Sequence, residues 1–202
     1  MTIKLLVADD QDLVRQALCA LLGLQADFEV VAQVGRGDEV VAAVLAHKPD
    51  VALLDIEMPG LDGLAAAAVV TAQAPACKVV ILTTFGRAGY LRRAMDAGAA
   101  GFVVKDAKAE VLADAIRRVV RGEKFVDPAL AVATLTVGES PLTARERDVL
   151  IVARDGSTVV EIAGKLYLSE GTVRNYLSNA IAKTRTRNRM EAVRVADERG
   201  WL

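Results

Sequence analysis

Short runs of apolar residues alternate with amphipathic segments along roughly the first 120 residues of the chain. Helical periodicity occupies about residues 12–24, 37–47, 62–74, 88–98 and 108–121. The apolar runs predict β-strands at Ile3–Ala8, Phe28–Val34, Val51–Leu54, Val79–Leu82 and Gly101–Val104. These runs are continuous in Val, Ile and Leu, which is typical of strands buried on both faces of a parallel sheet. The pattern predicts an α/β domain with a five-stranded doubly wound parallel sheet between helix layers.

The last 62 residues, 141–202, follow a different pattern of short helices with capping residues at their starts. Thr143 has Glu146 three positions later, which is the spacing of a capping box. A second helix is predicted at about residues 159–165 from Thr158 or a neighbour, and a third runs from Ser169 to about residue 183. A fourth follows at about residues 189–198. Only YLS separates the second and third helices, which predicts a smaller all-α helix-turn-helix domain.

The segment FVDPALAVATLTVGESP separates these two patterns. The helical charge pattern stops after Gly122, and Pro128, Gly138 and Pro141 follow within a short distance. Proline and glycine at this density favour a linker, with room for a short helix around residues 128–135. We therefore predict a first domain at residues 1–122, a linker at 123–140 and a second domain at 141–202.

Charge is distributed unevenly between the two predicted domains. The net charge is −1, but residues 1–140 hold 14 Lys and Arg against 18 Asp and Glu, whereas residues 141–202 hold 11 against 8. An acidic front (−4) and a basic back (+3) indicate two units with different partners. No apolar run approaches the roughly 18 residues of a membrane span, and the start MTIKLLVADD turns acidic too early for a signal peptide. We expect a cytoplasmic protein without membrane insertion.

Polar side chains follow four of the five predicted strands. They are Asp9 and Asp10, Asp55, Thr83 and Thr84, and Lys105. Because the carboxyl ends of parallel strands meet at one edge of a sheet, these groups are expected to converge. Three carboxylates that share a single ammonium would still repel one another unless a further cation were bound. Hard oxygen ligands at an open site favour Mg²⁺ as that cation.

A central carboxylate at such a site is a competent nucleophile toward phosphorus and would form an aspartyl phosphate. A metal ion would offset the charge that builds on the phosphoryl oxygens, with Lys105 as a second, compact positive charge. The hydroxyl of Thr83 would then bond a phosphoryl oxygen. An aspartate after a strand is usually only a helix cap, so the prediction depends on the combination at four strand ends.

Four stretches carry a family resemblance: LLVADDQDLVR, LLDIEMPGLDG, VVILTTFGRAGYL and AGAAGFVVKD. They resemble the signature stretches of a response-regulator receiver domain over about residues 1–122, which implies a flavodoxin-like fold. The resemblance implies that Asp55 accepts phosphate from a partner sensor histidine kinase. The implied Mg²⁺ ligands are Asp10, Asp55, the backbone carbonyl of Glu57 and, through water, Asp9. The implied phosphate-stabilising and switch residues are Thr83, Thr84, Lys105 and Phe102.

The third helix of the back domain divides into an apolar face and a polar face. Val173, Leu177, Ala180 and Ile181 share one face, and the opposite face is left free to bond base edges or phosphates. The cationic run KTRTRNR follows the helix, and beside a recognition helix such a run favours phosphate contact. The predicted DNA-binding residues are Lys165, Ser169, Thr172, Arg174, Asn175, Ser178, Asn179, Lys183 and Arg185.

LTARERDVL, EIAGKLYLSEGTVRNYL and EAVRVADERGWL resemble the LuxR-type DNA-binding domain over about residues 140–202. A receiver followed by this domain is the arrangement of NarL/FixJ response regulators. That resemblance implies a transcription regulator that dimerises on phosphorylation and binds a two-fold-related site in double-stranded promoter DNA. It implies no enzymatic activity beyond self-phosphorylation from small phosphodonors and slow autodephosphorylation.

Two alternatives remain open at this point. A phosphohydrolase could use the spacing Asp10-Gln11-Asp12, but Leu13-Val14 follow where a hydroxyl is expected, and the basic back domain would have no role. A regulator controlled by a ligand or partner protein, independently of phosphorylation, is the other. The intact acidic pair together with Thr83 and Lys105 argues against it.

Overall fold

The computed structural model describes residues 2–84, 88–127, 130–131 and 140–202. Of the described residues, most of those up to 131 form one compact unit, and residues 140–202 belong to a second. The helices and strands up to residue 127 are β1 (Ile3–Ala8), α1 (Asp12–Gly23), β2 (Phe28–Val34), α2 (Gly37–His47), β3 (Val51–Asp55), α3 (Gly63–Gln73), β4 (Lys78–Thr83), α4 (Ala88–Asp96), β5 (Gly101–Val104), α5 (Ala109–Val120) and β6 (Phe125–Val126).

The strands form one sheet in the order β2-β1-β3-β4-β5-β6, and every paired strand is parallel to its neighbour. The order reverses at β1, so the sheet is doubly wound and its switch point lies between β1 and β3. This arrangement confirms the predicted α/β class. It also brings the carboxyl ends of β1, β3, β4 and β5 to one edge, where ligands bind in open parallel sheets.

The sheet has six strands, so the predicted number of five was wrong by one. The sixth strand pairs with β5 through Gly101 opposite Phe125 and Phe102 opposite Val126. It falls within the predicted linker at 123–140, and two residues are too few to show a strand period. Of the helix predicted around 128–135, residues 130–131 are helical, and the rest of that prediction lies outside the described residues.

Burial on both faces explains the continuous apolar strands. All five residues of β3 are buried, and four consecutive residues of β1, from Leu5 to Ala8, have no exposed surface. Helices α1 and α5 pack against the same face of the sheet through Leu18 and Ile116, among others. A sheet covered in this way leaves the polar groups at its carboxyl edge as the accessible chemistry.

Residues 140–202, the described C-terminal part of the second unit, form four helices: α6 (Ala144–Ala153), α7 (Val159–Leu166), α8 (Glu170–Thr184) and α9 (Arg189–Glu198). The capping box of Thr143 and Glu146 is confirmed, Thr158 caps α7, and the Ser169 side chain accepts from the Thr172 N–H. Tyr167 adopts the left-handed conformation (φ 55°) in the turn between α7 and α8. This confirms the all-α helix-turn-helix prediction.

In the part of the chain that the structure describes, no helix combines the length and the apolar character that crossing a lipid bilayer requires.

Candidate functional site

Three carboxylates meet at the carboxyl edge of the sheet. Asp9 and Asp10 directly follow β1, and Asp55 is the last residue of the neighbouring strand β3. One carboxylate oxygen of each lies within 4.8 Å of the others. Asp9 is 0% exposed and Asp55 4%, whereas Asp10 is exposed. The structure therefore brings together the three acids that the sequence singled out, with one of them open to solvent.

The ammonium group of Lys105 lies between the two buried carboxylates. Its Nζ is 2.7 Å from Asp9 Oδ2 and 2.9 Å from Asp55 Oδ2. The backbone fixes this position, because the Lys105 N–H donates to the Thr83 carbonyl at 2.7 Å as the chain leaves β5. Three carboxylates against one ammonium leave the cluster with a net charge of −2 if all are ionised.

Burial and mutual repulsion set the protonation behaviour of this cluster. Burial raises the pKa of Asp55, and repulsion from Asp9 acts in the same direction, while the bond from Lys105 opposes it. Burial alone would lower the pKa of Lys105, but the bonds to its two carboxylate partners outweigh it, so the pKa is raised. Lys105 therefore stays charged at neutral pH, and an additional cation would relieve the repulsion between the two acids.

The donor set fits Mg²⁺. It contains only carboxylate oxygens, carries excess negative charge and is open to solvent on the side of Asp10. These are the features of Mg²⁺ sites, which use a few carboxylates and retain several waters. Glu57, whose backbone carbonyl completes the predicted ligand set, lies exposed two residues beyond Asp55, and its role stays a prediction.

The loop after β3 holds the Asp55 side chain and leaves no room beside its backbone. The Ile56 N–H donates to Asp55 Oδ1 at 2.8 Å, and the Gly63 N–H donates to the Ile56 carbonyl at 2.9 Å. A Cβ at Gly63 would lie 1.8 Å from the Asp55 carbonyl oxygen, so only glycine fits there. Asp62 caps α3 by accepting from the Ala65 N–H at 2.7 Å. The Asp62-Gly63 pair at the end of LLDIEMPGLDG therefore closes the loop around Asp55.

The predicted switch residues occupy neighbouring strands. Thr83 ends β4 and is 4% exposed, whereas Thr84 is exposed. Phe102 lies in β5 opposite Ile81 and is completely buried. The register thus places Phe102 two positions before the end of the strand that Lys105 follows, and the switching roles stay predictions.

Arg15 belongs to this edge of the sheet and was not identified from the sequence. Its guanidinium donates from Nη1 to the backbone carbonyl of Asp9 at 2.6 Å and also pairs with Asp12. The contact returns from the first turn of α1 to the end of β1 and holds the backbone of Asp9. The spacing of three between Asp12 and Arg15 on one helix was the only local signal.

The outward face of α8 carries the predicted base-contacting side chains. Arg174, Asn175, Ser178 and Asn179 are all exposed. Their helix buries the opposite face, on which Val173 and Ala180 have no exposed surface. This separation is what a recognition helix requires, and the individual contacts to DNA stay predictions.

The other predicted DNA-binding side chains on and around α8 differ in whether they bond to neighbouring protein groups. The Lys165 Nζ donates to Asp155 Oδ2 at 3.0 Å and to Ser157 Oγ at 2.9 Å, and the Lys183 Nζ donates to Glu146 Oε2 at 2.7 Å. Ser169 and Thr172 bond to each other at 2.8 Å, and the Arg174 guanidinium reaches Glu170 at 2.8 Å. Arg185 is exposed and makes no ion pair with any residue that the structure describes.

Comparison with known proteins identifies both units. Residues 5–117 match the family described as "Response regulator receiver domain", and residues 140–196 match "Bacterial regulatory proteins, luxR family". The uncharacterized transcriptional regulatory protein YvfU of Bacillus subtilis (strain 168) is 44% identical over 200 residues, covering 99% of this chain and 100% of YvfU. The chain belongs to the NarL/FixJ family of response regulators.

Two further relatives share the arrangement of this response regulator. The transcriptional regulatory protein DesR of Bacillus subtilis (strain 168), to which the combined motifs point, is 43% identical over 200 residues and 99% of each chain. The crystal structure of the response regulator ChrA of a heme-sensing two-component system matches 100% of this chain and 99% of ChrA, at 30% identity and a TM-score of 0.60. The protein is thus a two-component response regulator with a LuxR-type DNA-binding domain. The phosphohydrolase alternative finds no support in these matches.

Proposed function

We propose that this response regulator accepts a phosphoryl group on Asp55 from a partner sensor histidine kinase, with Mg²⁺ bound by the acidic cluster. The phosphorylated protein forms a homodimer and binds a two-fold-related site in double-stranded promoter DNA. Because bacterial DNA lies in the cytoplasm, this role implies a cytoplasmic protein. The observation that supports this most is the buried Asp55 carboxylate beside Asp9, Asp10 and the Lys105 ammonium.

The residues at the edge of the sheet divide the chemistry of the transfer. An Asp55 carboxylate oxygen bonds to phosphorus while the phosphorus–nitrogen bond of a phosphohistidine breaks, and the departing imidazole takes a proton from solvent. The Ile56 N–H holds the carboxylate through Oδ1. Lys105, within 2.9 Å of Asp55, donates to a phosphoryl oxygen in a charge-assisted hydrogen bond. Bound Mg²⁺ supplies positive charge against the oxygens of the phosphoryl group.

Phosphorylation changes the charge of a crowded, buried edge. The phosphoryl group carries about −1.5 to −2 units of charge and replaces the −1 of the Asp55 carboxylate, so about −0.5 to −1 is added next to Asp9, which has no exposed surface. Thr83 moves toward the new oxygens, and Phe102 fills the space that Thr83 leaves. The face that dimerises is then either α4-β5-α5 or α1 with α5. Reversing a 1:99 population requires about 5.5 kcal/mol of differential stabilisation.

Light scattering with and without beryllofluoride and Mg²⁺ tests the first step. We expect a monomer-to-dimer shift in the wild type and none in Asp55→Ala. Asp106→Ala is the matched control, because Asp106 is an exposed carboxylate next to Lys105 on the same edge. The control is expected to dimerise as the wild type does.

The other outcomes have distinct meanings. No shift in the wild type would contradict dimerisation as the response to phosphate. DNA binding that is unchanged in Asp55→Ala and unaffected by beryllofluoride would favour the alternative regulator, one controlled by a ligand or partner protein. No enzymatic role beyond the phosphoacceptor chemistry is part of this proposal.

A further inference from the structure

A buried carboxylate ties the first and third helices of the DNA-binding unit together. Glu146, in the first turn of α6, is 3% exposed. Its Oε2 accepts the Thr143 N–H at 2.7 Å and the Lys183 ammonium, also at 2.7 Å. The first bond completes the local capping box. The second crosses 37 residues of sequence to the last turn of α8, so the same oxygen serves the start of one helix and the end of another.

The exposure of the two partners indicates which of them depends on the other. The Lys183 side chain is 35% exposed and reaches water with part of its surface, whereas the Glu146 side chain is 3% exposed. A buried charge that loses its partner is strongly destabilised, because the interior offers it no solvent. Moving the Lys183 ammonium from Glu146 to a DNA phosphate would therefore cost free energy, because it would leave the buried Glu146 carboxylate without its partner.

The position of this ion pair matters for the recognition helix. Apolar contacts, such as those of Val149 and Val173 in the common core, hold α8 against the other helices but are not directional. The bond from Lys183 to Glu146 is directional and acts at the C-terminal end of α8, whereas the Ser169 cap acts at the N-terminal end. Of these two bonds, the Ser169 cap is local to the first turn of α8, and only the bond from Lys183 connects α8 to another helix.

We propose that Glu146 is a positioning residue for DNA recognition, which holds the C-terminal end of α8 through Lys183. Lys183 acts as this internal strut and does not contact a DNA phosphate. The inference rests on the proposed DNA binding and changes one role predicted from the sequence, that of Lys183. Arg185, exposed two residues later, keeps its predicted role as a phosphate contact.

Salt dependence of DNA binding separates a strut from a phosphate contact. Full-length protein with beryllofluoride and Mg²⁺ is titrated with a short duplex of mixed sequence, comparing Lys183→Met with Arg185→Met. Each phosphate contact contributes about 0.9 to the slope of log affinity against log salt concentration. We expect Lys183→Met to lower the affinity by the same factor at every salt concentration, so that its slope equals that of the wild type. We expect Arg185→Met to make the slope shallower. An equal loss of slope in both variants would overturn the proposal.

Glu146→Gln provides a test by sign. Removing a negative charge near a polyanion strengthens binding if only long-range electrostatics matter. A positioning role predicts weaker binding instead, measured where circular dichroism shows the variant to be fully folded, so a mere loss of stability cannot account for it. Lys183→Arg, which keeps a donor and a charge, is expected to recover most of the affinity lost in Lys183→Met. Unchanged or stronger binding by Glu146→Gln would refute the positioning role.

A double-mutant cycle keeps the inference testable without DNA. Unfolding of Glu146→Gln, Lys183→Met and the double variant is followed by the fluorescence of Trp201, which is the one tryptophan of the chain and packs in the helical core. We expect the double variant to shift the unfolding midpoint by less than the sum of the single shifts. Additive shifts of the unfolding midpoint would show that Glu146 and Lys183 do not interact, which would contradict the proposed role of Lys183. A wild type that binds no duplex would refute the proposed DNA function, while the cycle would still decide on the ion pair.

Discussion

Replacing Lys105 with methionine is expected to destabilise the receiver unit strongly, because two buried carboxylates lose their shared cation. The Lys105 ammonium lies 2.7 Å from Asp9 and 2.9 Å from Asp55, whose side chains are 0% and 6% exposed. Removing one partner of a buried ion pair costs about 3–5 kcal/mol. Since domains of this size have a total stability of about 5–15 kcal/mol, a loss in this range is easy to measure.

Mg²⁺ is expected to restore part of the stability that Lys105→Met loses, and to stabilise this variant more than the wild type. The cluster of three carboxylates changes from −2 to −3 when the ammonium is removed, so it attracts a divalent cation more strongly. Ligand at about 100 times its dissociation constant stabilises a folded state by about 2.7 kcal/mol. Tighter binding in Lys105→Met therefore adds to the stabilisation at any fixed concentration of Mg²⁺.

Urea unfolding at several Mg²⁺ concentrations measures both effects. Far-UV circular dichroism follows the helices and strands of both units, and fluorescence of Trp201 follows the helical unit alone, so the part of the dichroism transition that Trp201 does not share reports the receiver unit. Lys108→Met is the matched control, because Lys108 is exposed at the start of α5, where such changes usually stay within about 0.5 kcal/mol. A loss below about 1 kcal/mol in Lys105→Met would refute the reasoning on burial. Equal stabilisation of both proteins by Mg²⁺ would refute the reasoning on charge.

Three further predictions concern other parts of the chain. Gly63→Ala places a Cβ 1.8 Å from the Asp55 carbonyl oxygen, and we expect a loss of about 1–3 kcal/mol in thermal unfolding together with a weakened response to beryllofluoride; wild-type behaviour would show that the loop yields easily. Burial raises the pKa of the Cys77 thiol to about 11, so native protein at neutral pH should react with iodoacetamide far more slowly than urea-unfolded protein, and equal rates would contradict it. Burial alone would raise the pKa of Glu146, but bonds from Lys183 and from Thr143 outweigh it and hold the pKa below its ordinary value of 4.5. A lowered carboxyl pKa stabilises the fold above 4.5, and this contribution is lost as the pH falls through the folded-state value. Acid titration of Trp201 fluorescence should therefore show a smaller acid-induced loss in Glu146→Gln than in the wild type, and equal losses would contradict the assignment.

The sequence predicted which charged side chains meet at the sheet edge, because their convergence follows from topology. Once the apolar runs are parallel strands, their carboxyl ends must share one edge, and Asp9, Asp55 and Lys105 are carried there by the backbone. The capping box at Thr143 was equally accessible, since this cap and its Glu146 partner are three residues apart. Each of these predictions depends on spacing within a few residues or on the order of strands.

The sixth strand and the bracing of the site depend on longer-range contacts. Phe125–Val126 is a strand only because β5 offers it a free edge, and two residues carry no period of their own. Arg15 reaches the Asp9 carbonyl through a bond between a side chain and the backbone, which leaves no pattern in the residue types. Such contacts are decided by where two segments come to lie, and a local pattern does not contain that information.

Residue types and their spacing by themselves determined the class of the fold, most of its helices and strands, and which charged groups meet at the sheet edge. Burial periodicity is a local property, because each apolar residue has to face a core whatever its partner is. Only the tertiary structure decided which charges are used internally. Lys183 is a cationic residue in a cationic run, as expected of a DNA contact. Its ammonium is nevertheless bound by a buried carboxylate 37 residues away. The choice of an ionic partner depends on distance and desolvation in three dimensions, and neither can be read from the order of residues.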